Sequence, residues 1–119
     1  MKKTTITLLF LMIAMLSFGQ VLLDKTYSYG EYRKNWALVE KDELYGFIDI
    51  TGKPIVKPQY NSINKFGEYQ KNWAMVQQNE LYGFIDNDGK EIVKPIYESI
   101  SKGNKIEGII NGKKTEITQ

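Results

Sequence analysis

The chain has 119 residues, 25% of them charged and 42% hydrophobic, with a formal net charge of +2 at pH 7. That length allows one domain with a modest core. It contains no Cys and no His, which excludes the common Cys and His zinc sites, a thiol nucleophile, a Ser–His pair and any disulfide.

Residues 1–19 read as a secretory signal peptide. Lys2 and Lys3 form the positive start, and the apolar run from Ile6 to Leu16 follows. Ser17-Phe18-Gly19 then places small residues where a signal peptidase reads, so cleavage is predicted after Gly19. The run is too short to span a bilayer as a helix. The rival reading is an uncleaved N-terminal anchor. Cleavage removes two of the sixteen positive charges and leaves fourteen against fourteen acidic residues. A neutral chain without a basic run has little electrostatic pull on nucleic acid or anionic lipid. The expectation is a secreted or periplasmic protein with no stable membrane span and no nucleic-acid partner.

Residues 20–119 repeat themselves. Gly30-Glu31-Tyr32 recurs as Gly67-Glu68-Tyr69, and Lys34-Asn35-Trp36-Ala37 as Lys71-Asn72-Trp73-Ala74. Glu43-Leu44-Tyr45-Gly46-Phe47-Ile48-Asp49 recurs unchanged as Glu80-Leu81-Tyr82-Gly83-Phe84-Ile85-Asp86. Ile55-Val56-Lys57-Pro58 recurs as Ile92-Val93-Lys94-Pro95. The offset, as from Trp36 to Trp73, is constant. Repeat one covers about 29–65 and repeat two about 66–102. A degraded third copy is expected in Ile106-Glu107-Gly108-Ile109-Ile110-Asn111-Gly112-Lys113, which echoes the segment from Leu81 to Lys90. A capping hairpin is assigned to about 105–119.

Within a repeat the predicted elements are short strands: Trp36 to Val39, Leu44 to Ile48, and Lys53 to Lys57 before Pro58. They are too short for helices, rich in β-branched and aromatic types, and punctuated by Gly and Pro. Gly52 and Gly89 suit a positive φ at the end of a hairpin loop, and Asn111-Gly112 is a two-residue hairpin signal.

These residues resemble the WG repeat (KWG repeat) of bacterial proteins. The shared pattern is aromatic-Gly-aromatic-Ile-Asp, x-x-Gly-Lys, a β-branched pair, Lys-Pro and Tyr. Asp49 with Gly52-Lys53, and Asp86 with Gly89-Lys90, match its Asp and Gly-Lys. Pro58 with Tyr60, and Pro95 with Tyr97, match its Pro and Tyr. Two departures stand out. Tyr45-Gly46 and Tyr82-Gly83 replace the signature Trp-Gly, and Glu43 and Glu80 occupy a turn position where the family often has Gly. The second departure predicts a looser first hairpin loop. The resemblance implies a β-rich interaction or binding module, in some members a β-propeller, with no shared catalytic activity.

Bland readings are preferred for the remaining motifs. Asp86-Asn87-Asp88-Gly89 lacks the frame of a calcium loop. The recurring carboxylates Asp49 and Asp86, or Glu43 and Glu80, read as solvated turn residues rather than a glycosidase pair. The Lys-Asn-Trp motifs place a base beside an aromatic, as single-strand binders do, but the neutrality of the mature chain argues against that use. Gly46 and Gly83 read as packing positions, covered by a cross-strand aromatic.

The sequence therefore predicts an all-β chain of tandem antiparallel β-meander repeats, each of about three strands, in a curved open sheet. Partial β-propeller blades are the alternative. Function is expected to be non-enzymatic binding of a protein or glycan without a cofactor. The candidate surface is Trp36, Trp73, Tyr45, Tyr82, Tyr60 and Tyr97. The structural motif is Gly46, Gly83, Asp49, Asp86, Gly52, Gly89, Pro58 and Pro95. The competing class is an envelope subunit that self-associates through its sheet edges, and a carbohydrate-active protein is the distant third.

Overall fold

A computed structural model of the chain describes residues 22–118. The leader assigned to residues 1–19 lies outside them. The described residues are all β. Eleven strands run from β1 (Lys25–Tyr29), β2 (Trp36–Lys41), β3 (Leu44–Asp49) and β4 (Pro54–Tyr60) through β5 (Ser62–Ile63), β6 (Ala74–Gln78), β7 (Leu81–Ile85) and β8 (Glu91–Tyr97) to β9 (Ser99–Lys102), β10 (Ile106–Ile110) and β11 (Lys113–Glu116). They form antiparallel sheets ordered β1-β2-β3-β4, β5-β6-β7-β8 and β9-β10-β11, none closed on itself. The tandem meander read from the sequence is therefore present. It gains a short leading strand, β1, β5 or β9, which the sequence disguises. Ser62-Ile63 is two residues long and is separated from β4 by Asn61 alone, below the length at which alternation is visible.

The chain divides into two compact units, one reaching Pro58 and the other starting at Gln59. In the first, Ala37, Val39 and Ile48 form a buried cluster against which Leu23 packs. In the second, Trp73, Phe84, Val93 and Ile117 are buried together, with Tyr69, Met75, Tyr97, Ile100 and Ile106 packed around them. The central strands are covered on both faces: Ala37, Leu38 and Val39 of β2, Phe47 and Ile48 of β3, and Phe84 and Ile85 of β7 are buried in succession.

The hairpin between the second and third strands of each sheet is a two-residue turn. Lys41 pairs with Leu44, Gln78 with Leu81, and Ile110 with Lys113. The turn residues Asp42 and Glu43 have φ of 52° and 65°, and Asn79 and Glu80 have 53° and 68°. Asn111 and Gly112 follow suit at 51° and 77°. Two successive left-handed residues make the type I′ geometry whose twist matches the strands. The looser loop expected from Glu43 and Glu80 is thus corrected. The turn stays tight, and both glutamates are held left-handed.

A side chain preceding each leading strand holds this turn. The Asp42 amide donates to Asp24 Oδ2 at 2.8 Å, the Asn79 amide to Asn61 Oδ1 at 3.0 Å, and the Gly112 amide to Glu98 Oε1 at 3.3 Å. Topology also corrects the alignment of the third copy. β10 lies between β9 and β11 as β6 lies between β5 and β7. Residues 106–110 are therefore a second strand, not the aromatic-Gly-aromatic third strand. The Gly108 echo of Gly83 misled because a Gly between apolar residues is a weak signal.

Gly46 and Gly83 do not lie under aromatic rings. A Cβ on Gly46 would stand 2.7 Å from the Lys57 carbonyl carbon and 2.8 Å from its oxygen. A Cβ on Gly83 would stand 2.7 Å from the Lys94 carbonyl carbon and from the Pro95 nitrogen. At Gly83 backbone fills the space because the fourth strand bulges there: Tyr82 pairs with Tyr97 while Phe84 pairs with Val93. Pro95, with no N–H to pair, suits such a bulge. The aromatic cover expected at Gly46 and Gly83 occurs instead at Gly108, where a Cβ would meet Tyr97 Cγ at 2.8 Å and Cε1 at 2.9 Å.

Candidate functional site

The recurring Gly-Glu-Tyr and Lys-Asn-Trp motifs belong to one loop, repeated. In the first copy the Gly30 amide donates to the Trp36 carbonyl at 3.0 Å, and the Trp36 amide to the Arg33 carbonyl at 3.1 Å. In the second, Gly67 to Trp73 and Trp73 to Gln70 repeat both bonds at 3.0 Å. Asn35 and Asn72 close the loop at φ of 67° and 66°, a region Asn tolerates better than most residues. The closed loop brings two rings onto the central Phe. Tyr32 and Trp36 lie 5.2 and 5.1 Å from Phe47, and Tyr69 and Trp73 lie 5.4 and 5.1 Å from Phe84. Such tilted and edge-on pairs add to plain burial. The Lys-Asn-Trp motif thus has a structural task in both copies.

The third sheet trims this loop. Residues 103–105 connect β9 to β10, whereas residues 64–73 connect β5 to β6. A groove of about 520 Å³ opens there, lined by Tyr69, Gln70 and Trp73 on one side and by residues 102–106 and 116–118 on the other. That volume lies within the range of ligand pockets. Lys105 Nζ and Glu116 Oε1 form an ion pair at 3.3 Å on its wall. The Tyr69 hydroxyl donates to the Ile100 carbonyl at 3.3 Å, which fixes the ring. A smaller hollow of about 230 Å³ lies among Tyr69, Met75, Tyr82, Ser99 and Ile100. Tyr69 lines both, so the two openings share one aromatic wall.

The six candidate surface aromatics divide. Tyr60 and Trp73 are only 2% and 5% exposed. Trp73 offers an edge to the groove, and Tyr60 serves the core. Burial first, and then its 2.6 Å bond to Glu91 Oε2, push the Tyr60 phenol far above its usual titration range. Trp36, Tyr45, Tyr82 and Tyr97 are half-buried. Arg33 lies 5.4 Å from the Trp36 ring. Tyr45 lies 6.5 Å from Tyr27, whose own ring carries Lys25 at 4.4 Å. A hydrogen bond to Glu40 is the main reason the Tyr27 phenol is pushed up to about 12. Tyr82 lines the smaller hollow, and Tyr97 covers Gly108. Tyr69 was not among the candidates, although its place in the recurring Gly-Glu-Tyr marked it.

The recurring carboxylates organise their own turns. Asp49 Oδ1 accepts the Thr51 hydroxyl at 2.6 Å and the Thr51 and Lys53 amides at 2.9 and 3.0 Å. These bonds, led by the Thr51 hydroxyl, hold its carboxyl below the usual carboxylate range. Asp86 Oδ1 accepts the Asp88 and Lys90 amides, each at 2.9 Å. Gly52 and Gly89 complete these turns at φ of 87° and 83°, each donating to the Asp carbonyl at 3.0 Å. Among the described residues no group of three or more carboxylates is placed to hold a metal ion.

A family model described as a WG containing repeat matches residues 45–82 and again 82–102. The chain carries WG repeats. Each match opens on a Tyr-Gly that stands for the signature Trp-Gly. One WG match therefore spans the third strand of one sheet through to the start of the third strand of the next, and the other stops at Lys102, where β9 ends. Beyond that residue the aromatic loop is trimmed and the third strand is polar, so the WG pattern ends where the groove begins. No curated protein and no solved structure matches the chain.

Proposed function

We propose that this WG-repeat chain is an exported, non-enzymatic binding module whose ligand, a protein segment or a glycan, sits in the groove beside Tyr69 and Trp73. The groove itself carries the reading. It has an aromatic wall fixed by packing on Phe84, and Gln70, Lys102 and Asn104 line it as exposed polar groups. Polar and charged groups, with Lys105, Glu116 and Thr118 among them, make up most of the lining, and the ring of Tyr69 with the edge of Trp73 supplies its apolar part. The absence of catalysis is supported by Asp49 and Asp86, whose shared Oδ1 bonds commit them to their turns. Export is supported by the leader sequence alone, and intact-mass measurement of the exported chain checks it: a product that begins at Gln20 is expected.

The test is a groove-filling variant. Asn104→Phe places a bulky side chain at an exposed groove position without touching the core. Retention on immobilised envelope glycans or envelope proteins should be lost in this variant at unchanged melting temperature. Equal retention by both proteins contradicts the assignment. The assembly reading, in which open sheet edges pair with other copies, has its own observation: among the described residues none of the three sheets closes on itself.

A further inference from the structure

We infer that Thr115 closes the β11 edge to a fourth strand of the kind this chain uses, so that β11 is not a joint to a second copy. The inference does not depend on the groove.

The internal repeat supplies the comparison. The two-residue turns align the third strands without ambiguity: Gln78 pairs with Leu81 and Ile110 with Lys113. Val76 pairs with Gly83, and Gly108 pairs with Thr115. Thr115 therefore occupies the place of Gly83, and likewise of Gly46, which pairs with Val39. In the sheets with Gly at this place a fourth strand pairs with the third.

The reason is steric. In the second sheet the bulge of the fourth strand passes its own backbone over Gly83, and in the first the β4 backbone lies equally close to Gly46. A Cβ there would stand 2.7 Å from Lys57 and Lys94 carbonyl carbons and from the Pro95 nitrogen. These are main-chain atoms inside a paired strand, so no rotamer change relieves the overlap. A strand with the sequence of β8 can approach β11 only by abandoning its bulge, and with it the register that places Tyr97. Charge reinforces the bar. Where β7 presents Leu81, Tyr82 and Phe84, β11 presents Lys113, Lys114 and Glu116, and all four β11 residues are exposed. Lysine on an edge strand is a recurrent means of blocking further pairing.

The experiment uses the full chain and a fluorescent peptide with the sequence of residues 90–98, read by anisotropy. One variant carries Lys113→Leu, Lys114→Tyr and Glu116→Phe, and so restores the flanking side chains while keeping Thr115. A second adds Thr115→Gly. The second is expected to bind the peptide about tenfold or more tightly than the first, the equivalent of relieving an overpacked contact. The native chain should not bind it measurably. Comparable binding by the native chain or the first variant overturns the inference, and so does a folded second variant that ignores the peptide. If either multiple variant does not melt cooperatively, the comparison is made on a Lys113→Leu, Lys114→Tyr background that carries Thr115→Gly in one protein and Thr115→Ala in the other. Equal binding by those two also overturns it, because Ala keeps the Cβ.

Discussion

Glu43→Gly and Glu80→Gly should stabilise the protein. Both glutamates sit at the second position of a tight turn with φ of 65° and 68°. Holding a residue with a Cβ in that region costs about 1–2 kcal/mol. Glycine removes that strain but loses more freedom on folding, which returns about 0.5–1 kcal/mol. Each substitution should therefore gain about 0.5–1 kcal/mol by the difference of these terms. The two turns belong to different sheets, so the gains should add to about 1–2 kcal/mol. For a domain of this size that is a rise of roughly 5–10 °C in Tm. The chain contains the reverse experiment. Gly112 holds the same position in the third sheet with φ of 77°, so Gly112→Ala should lose about what the others gain. Glu43→Ala controls for the lost charge, because it keeps the Cβ and should gain nothing. Urea denaturation at constant m reads all four variants. A midpoint that stays or falls in both glycine variants, or a harmless Gly112→Ala, would refute the left-handed strain argument.

Three further outcomes are expected. Gly83→Ala forces a Cβ against the Lys94 and Pro95 backbone, so it should lose about 3 kcal/mol or more in urea midpoints, and a loss below about 1 kcal/mol would show that the bulge yields easily. Tyr60 has a raised phenol pKa. The folded state thus holds the proton more tightly than the unfolded chain. Its contribution is complete below about pH 10, the unfolded value, and is lost as pH climbs from there toward the folded pKa. Tyr60→Phe should therefore lower stability at neutral pH by about 1–2 kcal/mol through the lost bond to Glu91 and flatten the decline between about pH 10 and 12; an unchanged alkaline slope contradicts the role given to that bond. Deleting residues 105–119 removes Ile117 from its contact cluster with Trp73, so iodide should quench Trp73 much more strongly and the uncovered β9 edge should drive self-association in sedimentation. A truncated protein that stays monomeric with Trp73 shielded contradicts the capping role.

The repeat, the strand types and most turns were legible because each rests on a local rule. Asn111-Gly112 announces its hairpin through backbone preference alone, and Gly52 and Gly89 through their place after Asp. What was not legible depends on pairing partners. Gly46 and Gly83 declared an in-strand glycine, but only the register shift between β7 and β8 shows that backbone, not an aromatic ring, lies over them. Asp42-Glu43 and Asn79-Glu80 hid the type I′ turn that Asn111-Gly112 displays, because their second residue is not Gly. The candidate site was partly legible. Trp73 was named, but its neighbour Tyr69 was passed over. The groove itself arises from a trimmed loop, and loop shortening becomes visible only once β9 and β10 are paired.

The most direct test of the account uses the single-tryptophan protein made by Trp36→Phe, which leaves Trp73 as the reporter on the groove wall. Envelope glycans and envelope proteins that the native chain retains are titrated into it and followed by fluorescence. Saturable change in Trp73 emission, abolished by adding Asn104→Phe, is the expected result. Binding that saturates while Trp73 emission stays constant, and that survives Asn104→Phe, would contradict the placement of the ligand in the groove.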